Sequence, residues 1–188
     1  GEDTITRIAQ LLTGEQRKGS DVKLTIDAKL CEAALSALGK SDGAVVVMNY
    51  ETGEILASVS KPSFDPADMD KFKEGGGTSE LVNRAFSGLY APGSIFKIVT
   101  AAAMTEYGFE DFTTTCGGST VIDGNRIACT GEHGSVDLKE AITYSCNVYF
   151  AEAAEKLGGS LMAEAEKFLF NRPLAFGEIV IKSSVFTV

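Results

Sequence analysis

The sequence contains one histidine and no two cysteines in a C-x-x-C pair. Small structural zinc sites commonly draw on such pairs, so the spacing predicts no metal, and His133 cannot supply the missing ligands. Cys31 and Cys146 stand far apart, whereas Cys116 and Cys129 are 13 residues apart in a glycine-rich segment. This last pair either closes a hairpin as a disulfide in an oxidising compartment or remains as two reduced thiols.

Basic residues and long apolar runs are also scarce. Seventeen lysines and arginines stand against 26 aspartates and glutamates, and the formal net charge of -9 opposes sequence-independent attraction to nucleic acid or anionic lipid. Uncharged apolar stretches such as 98–104 fall far short of the roughly 20 residues that cross a bilayer, and no charged-then-apolar leader opens the chain. With 188 residues, of which 44% are hydrophobic, the composition predicts one medium globular domain and no nucleic-acid partner.

Hydrophobic periodicity divides the first part of the chain into short elements. Residues 4–13 predict an amphipathic helix that leads into a polar linker, so we interpret 1–20 as a linker or the remnant of an upstream region and 21–188 as the domain. An alternating strand over 22–26 precedes a helix that Asp27 caps and Gly39 ends. The runs 44–50 and 54–60 predict an antiparallel hairpin whose sheet is covered on both faces, and 61–77 predict a long surface loop.

The second part is predicted to be mostly helical. Ser94 opens an apolar helix through Met104, which we expect to be the central buried helix of the fold. Residues 112–130 indicate two short strands or an irregular hairpin. Further helices are predicted over 137–143, which begins with a capping pattern, over 148–157, and from a cap at Ser160 to about residue 170.

The pattern S-x-x-K occurs at Ser20, Ser58 and Ser94, so its surroundings must select among the three. Ser20 lies in the linker, and Ser58 lies in a strand, where positions i and i+3 point to opposite faces. Ser94 and Lys97 open a helix, where residues three apart share a face and unpaired backbone N–H groups can meet an oxyanion. Apolar neighbours lower the pKa of a lysine, so that Lys97 can take the proton of the serine. The alternative is that Ser94 caps the helix and Lys97 extends into solvent.

A second polar pair, Ser145 and Asn147, lies at a junction between two predicted helices. A serine can relay a proton to or from a leaving group, and an asparagine amide can both hold a lysine and bind a substrate amide. Taken alone, the pair could equally close one helix and cap the next.

Together these motifs resemble the transpeptidase domain of class B penicillin-binding proteins. The resemblance extends over about residues 20–170 and includes, in order, Leu24-Thr25-Ile26-Asp27, Pro62-Ser63-Phe64-Asp65-Pro66, Asn83-Arg84-Ala85, Tyr90-Ala91-Pro92-Gly93-Ser94-Ile95-Phe96-Lys97 and Ser145-Cys146-Asn147. It implies the α/β (α+β) architecture of β-lactamases and transpeptidases, a mostly antiparallel sheet flanked by helices.

The resemblance also implies a reaction and a role for each motif residue. Ser94 would be the acylated nucleophile, Lys97 its general base, and Ser145 and Asn147 the proton relay and the contact to the substrate amide. A D-alanyl-D-alanine stem peptide would acylate the serine with loss of D-alanine, and an amine of a second stem peptide would take the acyl group. Penicillins mimic the donor. No metal or cofactor is implied, and His133 is expected to have a structural role.

One motif of the family is missing. Neither K-T-G nor K-S-G occurs in the 188 residues: Lys40-Ser41-Asp42 precedes Ser94, and Lys182-Ser183-Ser184 lacks the glycine. In the family the strand of that motif supplies an oxyanion N–H and a second cation. We therefore interpret the chain as a domain cut before the K-T-G strand, predict little or no turnover, and expect self-association through the unpaired sheet edge.

Two other functions share part of this pattern. A serine β-lactamase would hydrolyse the acyl-enzyme, and a β-lactam sensor or scaffold domain would use the fold only for binding. The resemblance further implies a parent protein at the extracytoplasmic face of a bacterial membrane, with an N-terminal anchor and a pedestal domain that this chain lacks. Its expected partner there is a glycan polymerase.

Overall fold

The computed structural model describes residue 13 and residues 21–72, 79–176 and 179–187, which form two compact units. The first unit ends at Asp65 and the second begins at Pro66. Apart from Thr13, the predicted helix over 4–13 and the linker after it lie outside the described residues. Over these described ranges, no helix is both long and apolar enough to cross a membrane.

The first unit contains one helix and one antiparallel hairpin: α1 (Ala28–Leu38), β1 (Gly43–Met48) and β2 (Ile55–Lys61). The predicted helix is confirmed at both ends. The Asp27 side chain accepts a hydrogen bond from the Leu30 N–H at 3.0 Å, and Gly39 follows the helix with φ +54°, which a residue with a Cβ rarely adopts. The predicted hairpin is confirmed as well.

Two predictions for this unit are wrong. Residues 22–26 form no strand. The Thr25 Oγ1 and the Asp27 N–H donate to the Ile55 and Leu56 carbonyls at the start of β2, but two isolated hydrogen bonds do not make a strand ladder. The hairpin is not covered on both faces, since Val46 and Met48 are 45% and 56% exposed on the same side of β1. Apolar composition did not reveal which face of the strand has a partner.

The second unit combines helices with short antiparallel strands. It begins with two 3-10 segments (Pro66–Phe72 and Ser79–Leu81), and a third (Gly93–Phe96) precedes the second of its helices. The helices are α2 (Arg84–Ser87), α3 (Lys97–Glu106), α4 (Leu138–Thr143), α5 (Asn147–Leu157) and α6 (Gly159–Lys167). The strands are β3 (Thr114–Cys116), β4 (Ser119–Ile122), β5 (Asn125–Ala128), β6 (Gly134–Val136), β7 (Leu174–Phe176) and β8 (Ile179–Ile181).

Every strand pair in the described chain is antiparallel. The pairs are β1 with β2, β3 with β6, β4 with β5 and β7 with β8. The predicted mixed helix and antiparallel-strand class is therefore confirmed, whereas the single larger sheet is replaced by four two-stranded pairs within the described ranges. The hairpin expected in 112–130 is β4–β5, while β3 pairs with the later strand β6.

The core of the second unit is built around α5. Tyr149 and Ala153 are fully buried in this helix, which packs against α3, α4, α6 and strands β3 to β5. The expectation that the helix after Ser94 is central and buried is confirmed only in part: α3 packs against α4, α5 and α6 and buries Ala103 and Met104, but it leaves Ile98 58% exposed. When a helix is apolar on nearly every face, its sequence does not show which face packs against a neighbour.

The helix starts around the core follow two different rules. α4 begins with the predicted capping box, in which Asp137 accepts from the Glu140 N–H and the Glu140 side chain accepts from the Asp137 N–H. α6 begins at Gly159 without a side-chain cap, so the predicted cap at Ser160 is wrong, since that residue already lies in the first turn. Gly158, which has φ +51°, separates the end of α5 from the start of α6.

Candidate active site

Ser94 and Lys97 lie where a 3-10 turn passes into α3. Gly93 has φ +58°, a left-handed conformation, which lets the chain turn sharply just before the serine. Ser94 is exposed and Lys97 is half-buried. The first N–H groups of a helical segment have no acceptor within that segment. The backbone N–H of Ser94 is one of these groups, and it lies close to the hydroxyl of the same residue.

Ser145 is held by the motif that ends α4. The Ser145 N–H donates to the Ile142 carbonyl and the Cys146 N–H donates to the Ala141 carbonyl, which is the pair of bonds of a Schellman motif. Ser145 occupies the left-handed position of this motif with φ +51°, where glycine is usual. Such a conformation costs a residue with a Cβ roughly 1–2 kcal/mol. A strained serine at a glycine position points to a need for its hydroxyl.

A hydrogen-bonded path connects the four predicted residues. The Lys97 Nζ donates to the Asn147 Oδ1 at 2.6 Å, to the Ser145 carbonyl at 2.6 Å and to the Ser145 Oγ at 2.9 Å. The Ser145 Oγ in turn lies 3.2 Å from the Ser94 Oγ. The structure thus brings together all four residues that the sequence selected from two segments about 50 positions apart, and it places Ser145 between Ser94 and Lys97.

The side chain of Asn147 has a fixed orientation. Its Nδ2 donates to the Ala128 carbonyl at 2.9 Å, so its Oδ1 faces Lys97. An amide nitrogen carries two protons and the Ala128 bond uses one of them. The second proton can therefore meet a carbonyl of a ligand, which suits the predicted contact with a substrate amide.

Burial makes the charged form of Lys97 less favourable than it is in water. Burial lowers the pKa of Lys97 below its ordinary value of 10.5, and the negative charge of nearby cysteine sulfurs, Cys129 and Cys146, partly opposes this. All three ammonium protons have acceptors in the charged form, so the site can hold the lysine in either protonation state. A lysine with a lowered pKa next to a serine hydroxyl is an arrangement that activates the serine as a nucleophile.

Two neighbours of Lys97 were not selected from the sequence. The Phe150 ring lies under the ammonium, 5.6 Å from Nζ to the ring centroid, and the Cys129 Sγ accepts a hydrogen bond from the Asn147 backbone N–H at 3.2 Å. Phe150 follows Asn147 by three positions on α5, so helical spacing could have indicated that the two side chains share a face. The Cys129 contact joins residues 18 positions apart and has no such signal.

A groove of about 520 Å³ opens beside Lys97 and Asn147. The groove leaves room for a ligand or a chain segment beside the lysine. The apolar side chains that line it are Phe96, Ile122, Ile127, Phe150, Leu161 and Phe186.

The cysteines and the histidine take no part in this path. All four cysteines are free, so of the two alternatives for Cys116 and Cys129 the structure has the reduced thiols. His133 stacks on Tyr144, with ring centroids 5.2 Å apart, and its Nδ1 faces Cys116 and Cys129. These contacts suit the structural role expected for the histidine.

A family model of the penicillin-binding protein transpeptidase domain matches residues 43–175. This chain belongs to that family. Peptidoglycan D,D-transpeptidase PbpA of Mycobacterium tuberculosis is 32% identical over 192 residues, which cover 89% of this chain and 39% of the relative. The prediction of a class B transpeptidase domain is therefore confirmed.

Solved structures of transpeptidases share the fold. The crystal structure of the D,D-transpeptidase domain of a peptidoglycan glycosyltransferase from Eggerthella lenta has a TM-score of 0.81 at 34% identity, covering 94% of this chain and 45% of that one. A penicillin G acyl-enzyme complex of penicillin-binding protein A from M. tuberculosis has a TM-score of 0.81 at 29% identity, covering 96% and 47%. The chain spans less than half the length of these relatives.

Proposed function

We propose that Ser94 is the acylated nucleophile of a peptidoglycan D,D-transpeptidase. The observation that carries this proposal is the path of hydroxyl and amine groups from the Ser94 Oγ through the Ser145 Oγ to the Lys97 Nζ. Family membership supports it, and so does the description of the M. tuberculosis structure as a penicillin G acyl-enzyme complex.

The path accounts for both halves of the reaction. In the first, Ser94 Oγ attacks the carbonyl carbon between two D-alanines while its proton passes to neutral Lys97 through Ser145. The C–N bond then breaks, the departing D-alanine amine takes a proton from the same path, and an ester remains on Ser94. In the second half, an amine of another stem peptide attacks the ester, loses a proton to the path, and releases the Ser94 hydroxyl.

The substrate amide would be held by Asn147. Among the described residues, the Asn147 Nδ2 donates only to the Ala128 carbonyl, which leaves its second proton for a ligand, and the Ser94 N–H adds one donor for the oxyanion. Neither K-T-G nor K-S-G is present to supply the second oxyanion donor. Because loss of one such donor costs roughly 10²–10³-fold in rate, we expect little turnover from these 188 residues alone.

Intact-mass spectrometry after incubation with benzylpenicillin tests the proposal, with peptide mapping and Ser94→Ala as the negative control. Ser58→Ala, in the other described S-x-x-K pattern, is the matched control variant. We expect a slowly formed adduct of the whole antibiotic on Ser94 in the unmodified chain and in Ser58→Ala, and none in Ser94→Ala.

Three outcomes would contradict the proposal. An adduct that persists in Ser94→Ala, or maps elsewhere, excludes the serine as nucleophile. An adduct that is lost within minutes as penicilloic acid indicates a β-lactamase instead. No adduct on this chain, and none on a longer chain that carries the K-T-G motif, excludes acylation chemistry and leaves a binding or scaffold domain.

The setting of the parent protein is part of the same proposal. We infer that residues 21–188 are part of a transpeptidase domain whose parent acts on stem peptides outside the bacterial membrane beside a glycan polymerase. The E. lenta structure supports this association, since it is described as a transpeptidase domain of a peptidoglycan glycosyltransferase. Self-association of this chain remains a prediction that size-exclusion chromatography with light scattering can test.

A further inference from the structure

Three cysteines and the histidine converge behind the active site from separate parts of the chain. Cys116 ends β3, Cys129 follows β5, His133 precedes β6, and Cys146 lies between α4 and α5. One ligand atom from each of these four side chains lies within 4.8 Å of all the others. C-x-x-C pairs are ligands that lie close together in the sequence, whereas the fold brings these four side chains together from separate segments.

Three of the six separations within this cluster match a single tetrahedral metal centre. Zn–S bonds of about 2.3 Å and Zn–N bonds of about 2.0–2.1 Å place two sulfurs about 3.8 Å apart and a sulfur and a nitrogen about 3.6 Å apart. The Cys129 and Cys146 sulfurs are 3.9 Å apart. The His133 Nδ1 lies 3.5 Å from the Cys116 Sγ and 3.6 Å from the Cys129 Sγ. The other separations among the four ligand atoms are within 4.8 Å, so a single ion can reach all four.

The surroundings are those of a closed structural site. Cys116 and Cys146 are 1% and 0% exposed, and Cys129 and His133 are half-buried. Backbone N–H groups donate to two of the sulfurs, from Asn147 to Cys129 at 3.2 Å and from Tyr149 to Cys146 at 3.4 Å. Hydrogen bonds of this kind hold ligand atoms in place around a metal. Three sulfurs and one imidazole are also a ligand set of structural zinc sites.

We propose that Cys116, Cys129, His133 and Cys146 bind one Zn²⁺ ion in a closed tetrahedral site that fixes the turn carrying Ser145 and Asn147. Cys146 is the residue between these two, and Cys129 bonds directly to the Asn147 N–H. With four protein ligands the metal has no open position for water or substrate, so it positions the active site and does not activate a reactant. The metal site itself does not rest on the proposed acyl transfer.

The test uses the chain with its thiols reduced and Zn²⁺ as the probe. Elemental analysis by mass spectrometry should give one zinc per chain, and Zn²⁺ should raise the midpoint of thermal unfolding while a chelator lowers it. Replacement by Co²⁺ should give the visible absorption of tetrahedral, thiolate-bound cobalt. Amide hydrogen exchange of the peptide that contains residues 145–147 should slow when Zn²⁺ is added.

Variants separate the cluster from cysteine in general. Cys129→Ser and His133→Ala should weaken zinc binding by more than the roughly 10- to 100-fold that loss of an outer hydrogen-bond partner costs. Cys31→Ser is the matched control, because Cys31 lies in α1 outside the cluster, and it should bind zinc like the unmodified chain.

Several results would overturn the proposal. The unmodified reduced chain needs no variant to refute it: failure to bind zinc, or an octahedral cobalt spectrum, excludes the site. A disulfide among the three clustered cysteines in freshly purified protein also excludes it. Equal loss of zinc in Cys31→Ser and Cys129→Ser shows nonspecific thiol binding. Unchanged exchange at residues 145–147 removes the positioning role, and none of these readouts depends on acylation of Ser94.

Discussion

Ser145 combines strain with a proposed proton relay, and two substitutions separate these properties. Ser145→Ala and Ser145→Gly both delete the hydroxyl that joins Ser94 to Lys97, and both therefore lose the same hydrogen bond to a charged amine, worth roughly 1.5–3 kcal/mol. Only glycine relieves the left-handed backbone at φ +51°. The two variants should therefore differ in stability and agree in acylation.

The size of the stability difference follows from the backbone. A left-handed conformation costs a residue with a Cβ roughly 1–2 kcal/mol, and the greater freedom of unfolded glycine offsets roughly 0.5–1 kcal/mol of this. Ser145→Gly should therefore be about 0.5–1 kcal/mol more stable than Ser145→Ala. In a protein of this size the difference amounts to roughly 1–4 °C in the unfolding midpoint.

The assay is thermal and urea unfolding of both variants, together with acylation kinetics by intact mass. Ala163→Gly, at an exposed position within α6, is the matched control, and there glycine should lose about 1 kcal/mol. Acylation of Ser94 should fall roughly 10²–10⁴-fold in both Ser145 variants. Ser145→Ala as stable as Ser145→Gly would refute the strain argument, and full acylation by either variant would refute the relay.

Two other substitutions test the path and the core. The rate of Ser94 acylation should rise with pH up to the pKa of Lys97, which burial holds below 10.5, because only the neutral amine accepts the proton. Lys97→Arg should abolish this rise and lower the rate roughly 10²–10⁴-fold. A pH-independent rate in the unmodified chain would exclude lysine as the base. The Glu152 carboxylate accepts hydrogen bonds from the Thr114 Oγ1 at 2.5 Å and from the Thr120 Oγ1 at 3.0 Å. Glu152→Ala should therefore lower the free energy of unfolding, measured in urea, by about 1–3 kcal/mol. An unchanged free energy of unfolding would mean that water replaces both bonds.

The local features of the fold follow from short stretches of sequence. Asp27 caps α1 and Asp137 forms the box at α4 because capping depends on a side chain and on N–H groups two or three positions away. The same is true of the β1–β2 hairpin, whose turn needs only its own residues. Where a segment depends on distant partners, the sequence was less informative. Residues 22–26 make only isolated bonds to β2 and form no strand, and the apolar helix α3 leaves Ile98 exposed although it packs against three other helices.

Some features of the candidate active site could likewise be predicted from the sequence, and others depend on the fold. Helix geometry singled out Ser94 and Lys97 in the sequence, and the resemblance of the motifs to a known family added Ser145 and Asn147. The fold was needed to show that Ser145 lies between Ser94 and Lys97, that Phe150 lies beneath the amine, and that Cys129 contacts Asn147. These contacts join residues 18 to 53 positions apart, where α5 meets α3 and the strands. They depend on the packing of buried side chains, and that packing has no sequence period across such separations.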